Sequence, residues 1–176
     1  MLARRPKAAI ERARRKTRKA PSIKSEIADL IAKGALIGWR EWLALPALGI
    51  DRIKAKVDSG ARTSALHAVK VSPFQRNGQV WVSFIVAPHA GGARDRVRVQ
   101  CKARVRDLRQ VKSSNGTVEQ RYVIATPVVI GRKTFEIEVT LTDRAEMGFE
   151  MLFGRTALRA GRFLVHPARS FLQSGK

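Results

Sequence analysis

A single carboxylate stands where the sequence predicts the end of a strand. Apolar and basic residues alternate through residues 53–57, a pattern typical of a strand with one buried face, and Asp58-Ser59-Gly60-Ala61 follow directly. Gly60 permits a turn that a side chain would block, and Ser59 adds a hydroxyl group close to the acid. A carboxylate held at such a turn can take a proton from water or donate one to a substrate. Asp58 is therefore the first candidate for a catalytic group.

A second segment, near the C-terminus, complements the first. Met151-Leu152-Phe153-Gly154-Arg155 combines apolar residues with a glycine and an arginine, and it leads into a short helix predicted near residues 156–160. Together the two segments resemble the paired signatures of retropepsin-like aspartic peptidases, and they occur in the expected order.

The resemblance extends from about residue 36 to residue 172. The family that the chain resembles is the bacterial retropepsin-like family often labelled "putative ATP-dependent zinc protease". The segments that carry this resemblance are residues 37–42, 45–50, 53–68, 113–116, 138–142 and 161–172.

This resemblance implies a fold and a site. The fold is mainly β, a retropepsin-like closed β-barrel lobe with one short C-terminal helix, and the activity is that of an aspartic-type endopeptidase. Because the sequence contains one Asp-Ser-Gly, a complete pair of carboxylates requires a homodimer. The implied catalytic residues are Asp58, Ser59 and Gly60, and the implied substrate-binding residues are Ala61, Arg62, Thr63, Ser64, His67, Asn115, Gly116 and Arg155. A flap over the substrate is expected at residues 113–116, or otherwise at Gly91-Gly92.

Two positions depart from the family pattern, and a third departs from that of viral retropepsins. The family usually has Asp-Thr-Gly where this chain has Asp58-Ser59-Gly60, a mild change because either hydroxyl can make the same hydrogen bonds. His166-Pro167 replaces a closing Asp-Pro and removes a carboxylate. Arg62 replaces an acid that viral retropepsins can pair with the later arginine, so Arg155 must find another partner or face solvent.

The remaining pattern predicts three regions. Residues 1–34 form a basic N-terminal extension, disordered or conditionally helical at first, with an amphipathic helix at about 22–33 that Ser22 caps and Gly34 ends. Its apolar face is expected to pack mainly within the protein, the other options being a second subunit or another protein. Residues 35–172 form the retropepsin-like domain and residues 173–176 a tail. The strands predicted from period-two alternation are 36–45, 52–58, 63–72, 79–87, 96–106, 120–130, 133–142 and 151–153.

The chain has a formal net charge of +21, of which residues 1–24 carry +9. Such a charge attracts polyanions, either through a tail that otherwise only aids solubility or through docking to RNA, the ribosome or an acidic polypeptide. In residues 96–106 basic side chains alternate with apolar ones, which indicates a solvated edge strand or an anion-binding surface. The aromatic residues give no interleaved aromatic and basic platform of the kind that stacks bases, which argues against a dedicated reader of single-stranded nucleic acid. Attraction to a phosphate backbone stays open.

The sequence indicates no cofactor. It lacks the metal-binding patterns His-Glu-x-x-His and Cys-x-x-Cys and a phosphate-binding Gly-rich loop. If the activity depends on ATP, a partner must therefore bind the nucleotide. The partner that the resemblance implies is an ATP-grasp ligase. The single cysteine, Cys101, excludes an internal disulfide framework and favours a reducing compartment. No apolar run reaches the roughly 18 residues of a membrane span, and we expect a cytoplasmic protein without membrane contact.

Two classes of function follow. The first is a homodimeric aspartic endopeptidase that acts on acidic or glutamate-rich peptides. The second is a non-catalytic binding or adaptor module of the same fold that recruits an anionic partner.

Overall fold

The computed structural model describes residues 22–88, 97–112, 116, 118–145 and 148–173. Within these ranges the chain forms two helices and eleven strands, with a 3₁₀ turn at Pro46–Leu48. The elements are α1 Ile23–Ala32, β1 Leu36–Gly38, β2 Arg40–Leu45, β3 Ile50–Asp58, β4 Ser64–His67, β5 Val69–Arg76, β6 Gln79–Val86, β7 Val99–Lys112, β8 Val118–Ile130, β9 Lys133–Thr142, β10 Met151–Gly154, α2 Arg155–Ala160 and β11 Leu164–His166. Neither of the described helices has the length and apolar character needed to cross a membrane.

Nine strands form one large sheet, in the order β2-β3-β10-β4-β9-β8-β7-β6-β5. An additional pairing between Ala44 of β2 and Val129 of β8 joins the first strand to the sixth and closes these six strands into a barrel. The closure is uneven, because one residue pair makes it. Strands β7, β6 and β5 continue beyond the barrel as an antiparallel extension. The fold is therefore mainly β with one short C-terminal helix, as the sequence predicts.

The core lies inside the barrel and beneath the extension. Alternation in β3 turns Ile53 and Ala55 inward, where they are completely buried. The largest fully buried side chains are Phe84 on β6 and Phe153 on β10. Each aromatic side chain of this kind removes about 150–250 Å² from water, which makes them main contributors to stability.

Two predicted strands are each divided. The strand expected at 36–45 breaks at Trp39, whose backbone N–H donates to the carbonyl of Arg169 at 2.8 Å. Strand β1 then pairs in parallel with β11, a strand that the sequence did not predict, whereas β2 pairs with β3. The strand expected at 63–72 breaks at Ala68, so that β4 belongs to the barrel and β5 to the extension.

The basic strand predicted at 96–106 is an interior strand rather than an edge. Strand β7 runs from Val99 to Lys112 and pairs with β6 on one side and β8 on the other. Its basic residues Lys102, Arg104 and Arg106 are exposed, while Cys101 and Ala103 are buried, as the alternation predicts. The interpretation as a solvated edge strand is therefore wrong, and the exposed row of cations needs another explanation.

Helix α1 has the predicted ends. The Ser22 side chain accepts a hydrogen bond from the Ser25 backbone N–H, and Gly34 adopts the left-handed φ of +64° that a side chain disfavours. No residue of the helix is fully buried, and Ile23 is 76% exposed. The apolar face thus packs only partly against the rest of the chain.

A buried carboxylate fastens the C-terminal segment to the start of the domain. Glu41 on β2 is 1% exposed and accepts backbone hydrogen bonds from Gly38 at 2.8 Å, Leu172 at 2.7 Å and Gln173 at 3.3 Å. The Gln173 side chain in turn donates to the carbonyls of Ile31 and Leu36. These bonds satisfy polar groups that would otherwise be costly to bury.

Candidate active site

Asp58 is the last residue of β3, and its carboxylate folds back onto the loop that follows. Its Oδ1 accepts hydrogen bonds from the backbone N–H groups of Gly60 at 2.9 Å and Ala61 at 3.0 Å. A Cβ atom at Gly60 would lie 3.1 Å from that oxygen, so glycine provides the space for the close approach. Both bonds reach Oδ1, and in the described part of the chain Oδ2 accepts none. One carboxylate oxygen thus fixes the loop, and the other remains for chemistry.

The second sequence signature lies beside the first. Strand β10 runs parallel to β3 with Gly154 opposite Asp58, and the backbone N–H of Arg155 then donates to the carbonyl of Ala61 at 2.8 Å. A Cβ at Gly154 would lie only 2.6 Å from the carbonyl carbon of Thr63. Only glycine lets β10 pass this close to the loop that carries Asp58.

The Arg155 side chain has found a partner other than an acid. Its Nη1 donates to the backbone carbonyl of Ser59 at 3.0 Å, and Thr156 N–H donates to the carbonyl of Arg62 at 3.0 Å. Three bonds between the start of α2 and the 59–62 loop therefore replace the ion pair that Arg62 precludes. The side chains of Ser59 and Arg62 are exposed beside this loop.

Ser64 lies beneath the site and is completely buried. Its Oγ accepts the backbone N–H of Gly154 at 3.1 Å, and its carbonyl accepts the Thr140 hydroxyl at 3.1 Å. These bonds give Ser64 a positioning role, because a side chain without solvent exposure does not contact a substrate in this structure.

His67 is at the opposite end of β4, three residues and about 10 Å from Ser64. Its Nδ1 accepts the backbone N–H of Arg144 at 2.9 Å and lies 3.4 Å from the carboxylate of Asp143. The structure therefore does not bring His67 together with Asp58. Instead His67 lines a pocket of about 430 Å³ with Val69, Lys70, Ile85, Ala87 and Arg98.

Gly116, at the end of the β7–β8 hairpin, is exposed and has a left-handed φ of +86°. The preceding residue Asn115, also predicted to bind substrate, and the alternative flap at Gly91-Gly92 lie outside the described residues. The assignment of the flap stays a prediction.

Arg144 is a site residue that the sequence did not indicate. Burial lowers the pKa of its guanidinium, the nearby Arg121 cation lowers it further, and the charge of Asp58 opposes both. Its Nε is buried and has no hydrogen-bond partner among the described residues. Arg144 thus places a cation within electrostatic reach of Asp58. No local sequence pattern indicates Arg144 as a site residue. It follows β9, and only the pairing of β9 within the sheet brings this part of the chain near the site.

The departure at His166-Pro167 has a local explanation. The His166 Nδ1 accepts the backbone N–H of Ala168 at 3.3 Å. An aspartate makes the same bond to the residue two positions on, so the imidazole substitutes for the missing carboxylate in this turn. The carboxylate that the family pattern places here is therefore not needed for the local geometry.

The word "zinc" in the family label finds no support in the geometry. Over the ranges that the structure describes, no three His, Cys, Asp or Glu side chains come close enough together to hold a metal ion.

Residues 36–176 match the family model described as RimB-like, the retropepsin-like aspartic endopeptidase RimB. The chain belongs to this family. The Asp58 loop and the Gly154-Arg155 segment both lie within the matched residues.

The RimB-like chain is also similar to three longer proteins, each called a probable alpha-L-glutamate ligase. It is 48% identical to the protein from Shewanella halifaxensis over 136 residues, which are 77% of this chain and 29% of that protein. The protein from Desulfotalea psychrophila is 48% identical over 133 residues, covering 76% and 28%, and that from Parasynechococcus marenigrum is 46% identical over 136 residues, covering 77% and 28%. The chain thus spans less than a third of the length of these relatives.

The chain is also similar in fold to a solved structure. It is the crystal structure of a protein of unknown function from Legionella pneumophila, with a TM-score of 0.66 and 25% identity, covering 78% of this chain and 96% of that one.

Proposed function

We propose that this chain is an aspartic-type endopeptidase that acts as a homodimer with Asp58 of each subunit in the catalytic dyad. The observation that carries the proposal is the loop from Asp58 to Thr63. Two backbone N–H groups hold one oxygen of the Asp58 carboxylate, and the start of α2 is bonded to the same loop. The two bonds to Oδ1 are those of an Asx turn. The bonding of this turn to α2, with an Oδ2 that accepts no hydrogen bond from the described residues, is what favours chemistry.

Each chain supplies one such loop, so the reaction requires two chains. In the dyad two carboxylates share one proton, because like charges at close distance cannot both ionise. The ionised Asp58 accepts a proton from a water molecule as that water attacks the peptide carbonyl. The protonated Asp58 of the other subunit donates its proton to the carbonyl oxygen. Ser59 and the Gly60 carbonyl lie next to the reacting groups and orient the dyad and the substrate backbone.

Acidic or glutamate-rich peptides are the substrates that the charge distribution favours. Arg62 and Arg155 are exposed at the loop, and the half-buried Arg144 lies within electrostatic reach of Asp58. Such cations attract an anionic peptide and disfavour a basic one. The relatives called glutamate ligases support the same substrate class and an association with a ligase of the ATP-grasp type. A cytoplasmic location agrees with both suggestions.

A non-catalytic binding module is the second candidate. The exposed cations Lys102, Arg104 and Arg106 favour it, because they follow a strand of the extension, outside the barrel that carries Asp58. In that case the same fold recruits an anionic partner and Asp58 is dispensable.

The test is cleavage of glutamate-rich and unbiased peptide libraries, with the mass of the protein measured by sedimentation in the same buffer. The variants are Asp58→Asn and the matched control Asp51→Asn, which removes the same charge from an exposed residue at the start of the same strand. We expect cleavage by a dimer that Asp58→Asn abolishes and Asp51→Asn leaves unchanged. No cleavage by a folded dimer between acidic and neutral pH would favour the binding module instead.

A further inference from the structure

The outward face of the β5–β6–β7 extension brings together aromatic and basic side chains that are far apart in sequence. In the sheet register Phe74 of β5 is opposite Trp81 of β6, and Trp81 is opposite Arg104 of β7. The next row consists of Ser72, Ser83 and Lys102, defined by the same pairings. Paired residues share one face of a sheet, so these two rows form one continuous surface, which we call the aromatic-basic face.

Trp81 on this face has a cation over its ring, and Phe74 lies beside it. The ring centroids of Phe74 and Trp81 are 6.4 Å apart, and the Arg76 guanidinium lies 5.0 Å from the Trp81 ring centre. Both rings are half-buried, and Arg76 is exposed. A planar guanidinium over an indole is itself a surface on which a nucleobase can stack.

The charge on this face is of one sign. Between Ser59 and Arg106 the only acidic residue in the sequence is Asp95. Lys102 and Arg104 alternate along β7 and are exposed, which places them about 7 Å apart. Exposed Arg106 follows at a register shift between Val105 and Asp107. Like charges in such a row repel one another, and a bound polyanion relieves the repulsion.

The face continues into the pocket beside His67. Ile85 of β6 pairs with Val69 and lines this pocket together with Lys70 and Arg98. Trp81 and Ile85 are four residues apart on one strand, so the rings of Phe74 and Trp81 lie about 13 Å from the pocket. The two rings therefore lie at one end of the aromatic-basic face, and the cationic pocket lies at its other end.

We propose that the aromatic-basic face binds single-stranded nucleic acid. Bases stack on Phe74, Trp81 and the Arg76 guanidinium, while phosphates follow the cations of β7 and the pocket takes one more anionic group. An acidic polypeptide would use the cations and leave the rings without a partner, and a duplex does not offer open base faces to them. The rows on β5, β6 and β7 belong to the extension, whereas Asp58 ends a strand of the barrel, so binding and peptide cleavage are measured separately.

The test is the fluorescence anisotropy of a labelled single-stranded RNA of mixed sequence, about 12 nucleotides long, with the full-length chain. The double variant Phe74→Leu and Trp81→Leu removes the rings but keeps apolar side chains, and we expect affinity to fall at least about tenfold. The double variant Lys102→Gln and Arg104→Gln should weaken binding and reduce the slope of log K against log salt by about 1.4. The matched control is Arg132→Gln with Arg159→Gln, which removes two exposed charges outside the face and should have a smaller effect.

Further arms of the experiment separate this face from other causes of binding. Asp58→Asn should bind the RNA as tightly as wild type, even if cleavage fails altogether. If the leucine variant does not fold, the Lys102→Gln and Arg104→Gln double variant tests the proposal instead. Both of its residues are exposed, so these substitutions should not disturb folding. Equal affinities for the two test pairs and the control pair would overturn the proposal and assign binding to net charge or to residues 1–21. Equal competition by polyglutamate of the same charge would overturn it as well. Single-stranded DNA of the same sequence tests whether the 2′-hydroxyl contributes.

Discussion

Gly154→Ala should damage both the stability and the activity of this protein through one contact. The added Cβ would lie 2.6 Å from the Thr63 carbonyl carbon and 2.7 Å from its oxygen. Ordinary contact begins near 3.4 Å, so the loop and β10 must separate by about 0.8 Å. Because both atoms belong to the backbone, no side-chain rotation relieves the overlap. We expect a loss of about 1–3 kcal/mol in the free energy of unfolding, the usual cost of overpacking.

The same shift moves the loop that carries Asp58. The bonds from Arg155 and Thr156 to Ala61 and Arg62 tie the loop to the segment that must move. A displacement near 1 Å at a reacting group costs about 100-fold in rate, so kcat/KM should fall by about that factor, with kcat carrying most of the loss.

Gly148→Ala is the matched control, since a Cβ there would meet no atom within 4 Å. Unfolding in urea followed by circular dichroism gives the stability, and cleavage of the best library peptide gives the rate. Wild-type stability and wild-type rate in Gly154→Ala would refute the argument that the two segments need this close approach. A loss of stability with an unchanged rate would refute the link to the Asp58 loop.

Two further predictions concern buried groups. Glu41→Ala leaves the backbone N–H groups of Gly38 and Leu172 without their buried acceptor. The free energy of unfolding, measured by urea titration, should therefore fall by about 3 kcal/mol. The control is exposed Glu136→Ala, which should change it by less than about 0.5 kcal/mol. Burial raises the pKa of Cys101 from 9.0 to about 11, so the unfolded thiol ionises first as pH rises and stability should decrease between these values, by up to about 2.7 kcal/mol. Cys101→Ala should abolish that part of the pH dependence, and an unchanged slope in this variant would exclude Cys101 as its source.

Much of the catalytic region could be predicted because its signals are local. The alternation before Asp58, the glycine after it and the Gly154-Arg155 pair are each short patterns with a steric or chemical meaning. The two patterns meet because β3 and β10 are parallel neighbours with Gly154 opposite Asp58. The role of Arg155 needed the structure, since its partner is a backbone carbonyl rather than a side chain.

The features that the sequence did not reveal depend on pairing between distant segments. Strand β1 separates from β2 because its partner is β11, more than 120 residues away. Arg144 approaches Asp58 through the position of β9 in the sheet. The aromatic-basic face is invisible in the sequence because Phe74, Trp81 and Arg104 become neighbours only in the β5–β6–β7 register. Period-two alternation predicts which face a residue occupies, but it does not predict the residue beside it.

The bonds from Gln173 to Ile31 and Leu36 bring the two ends of the domain to one corner. A domain whose two ends meet in this way can be attached to another protein at a single point, because both connections leave from the same corner of the domain. It can also be circularly permuted, since a short linker bridges the old ends while new termini open in an exposed turn such as Asn77-Gly78.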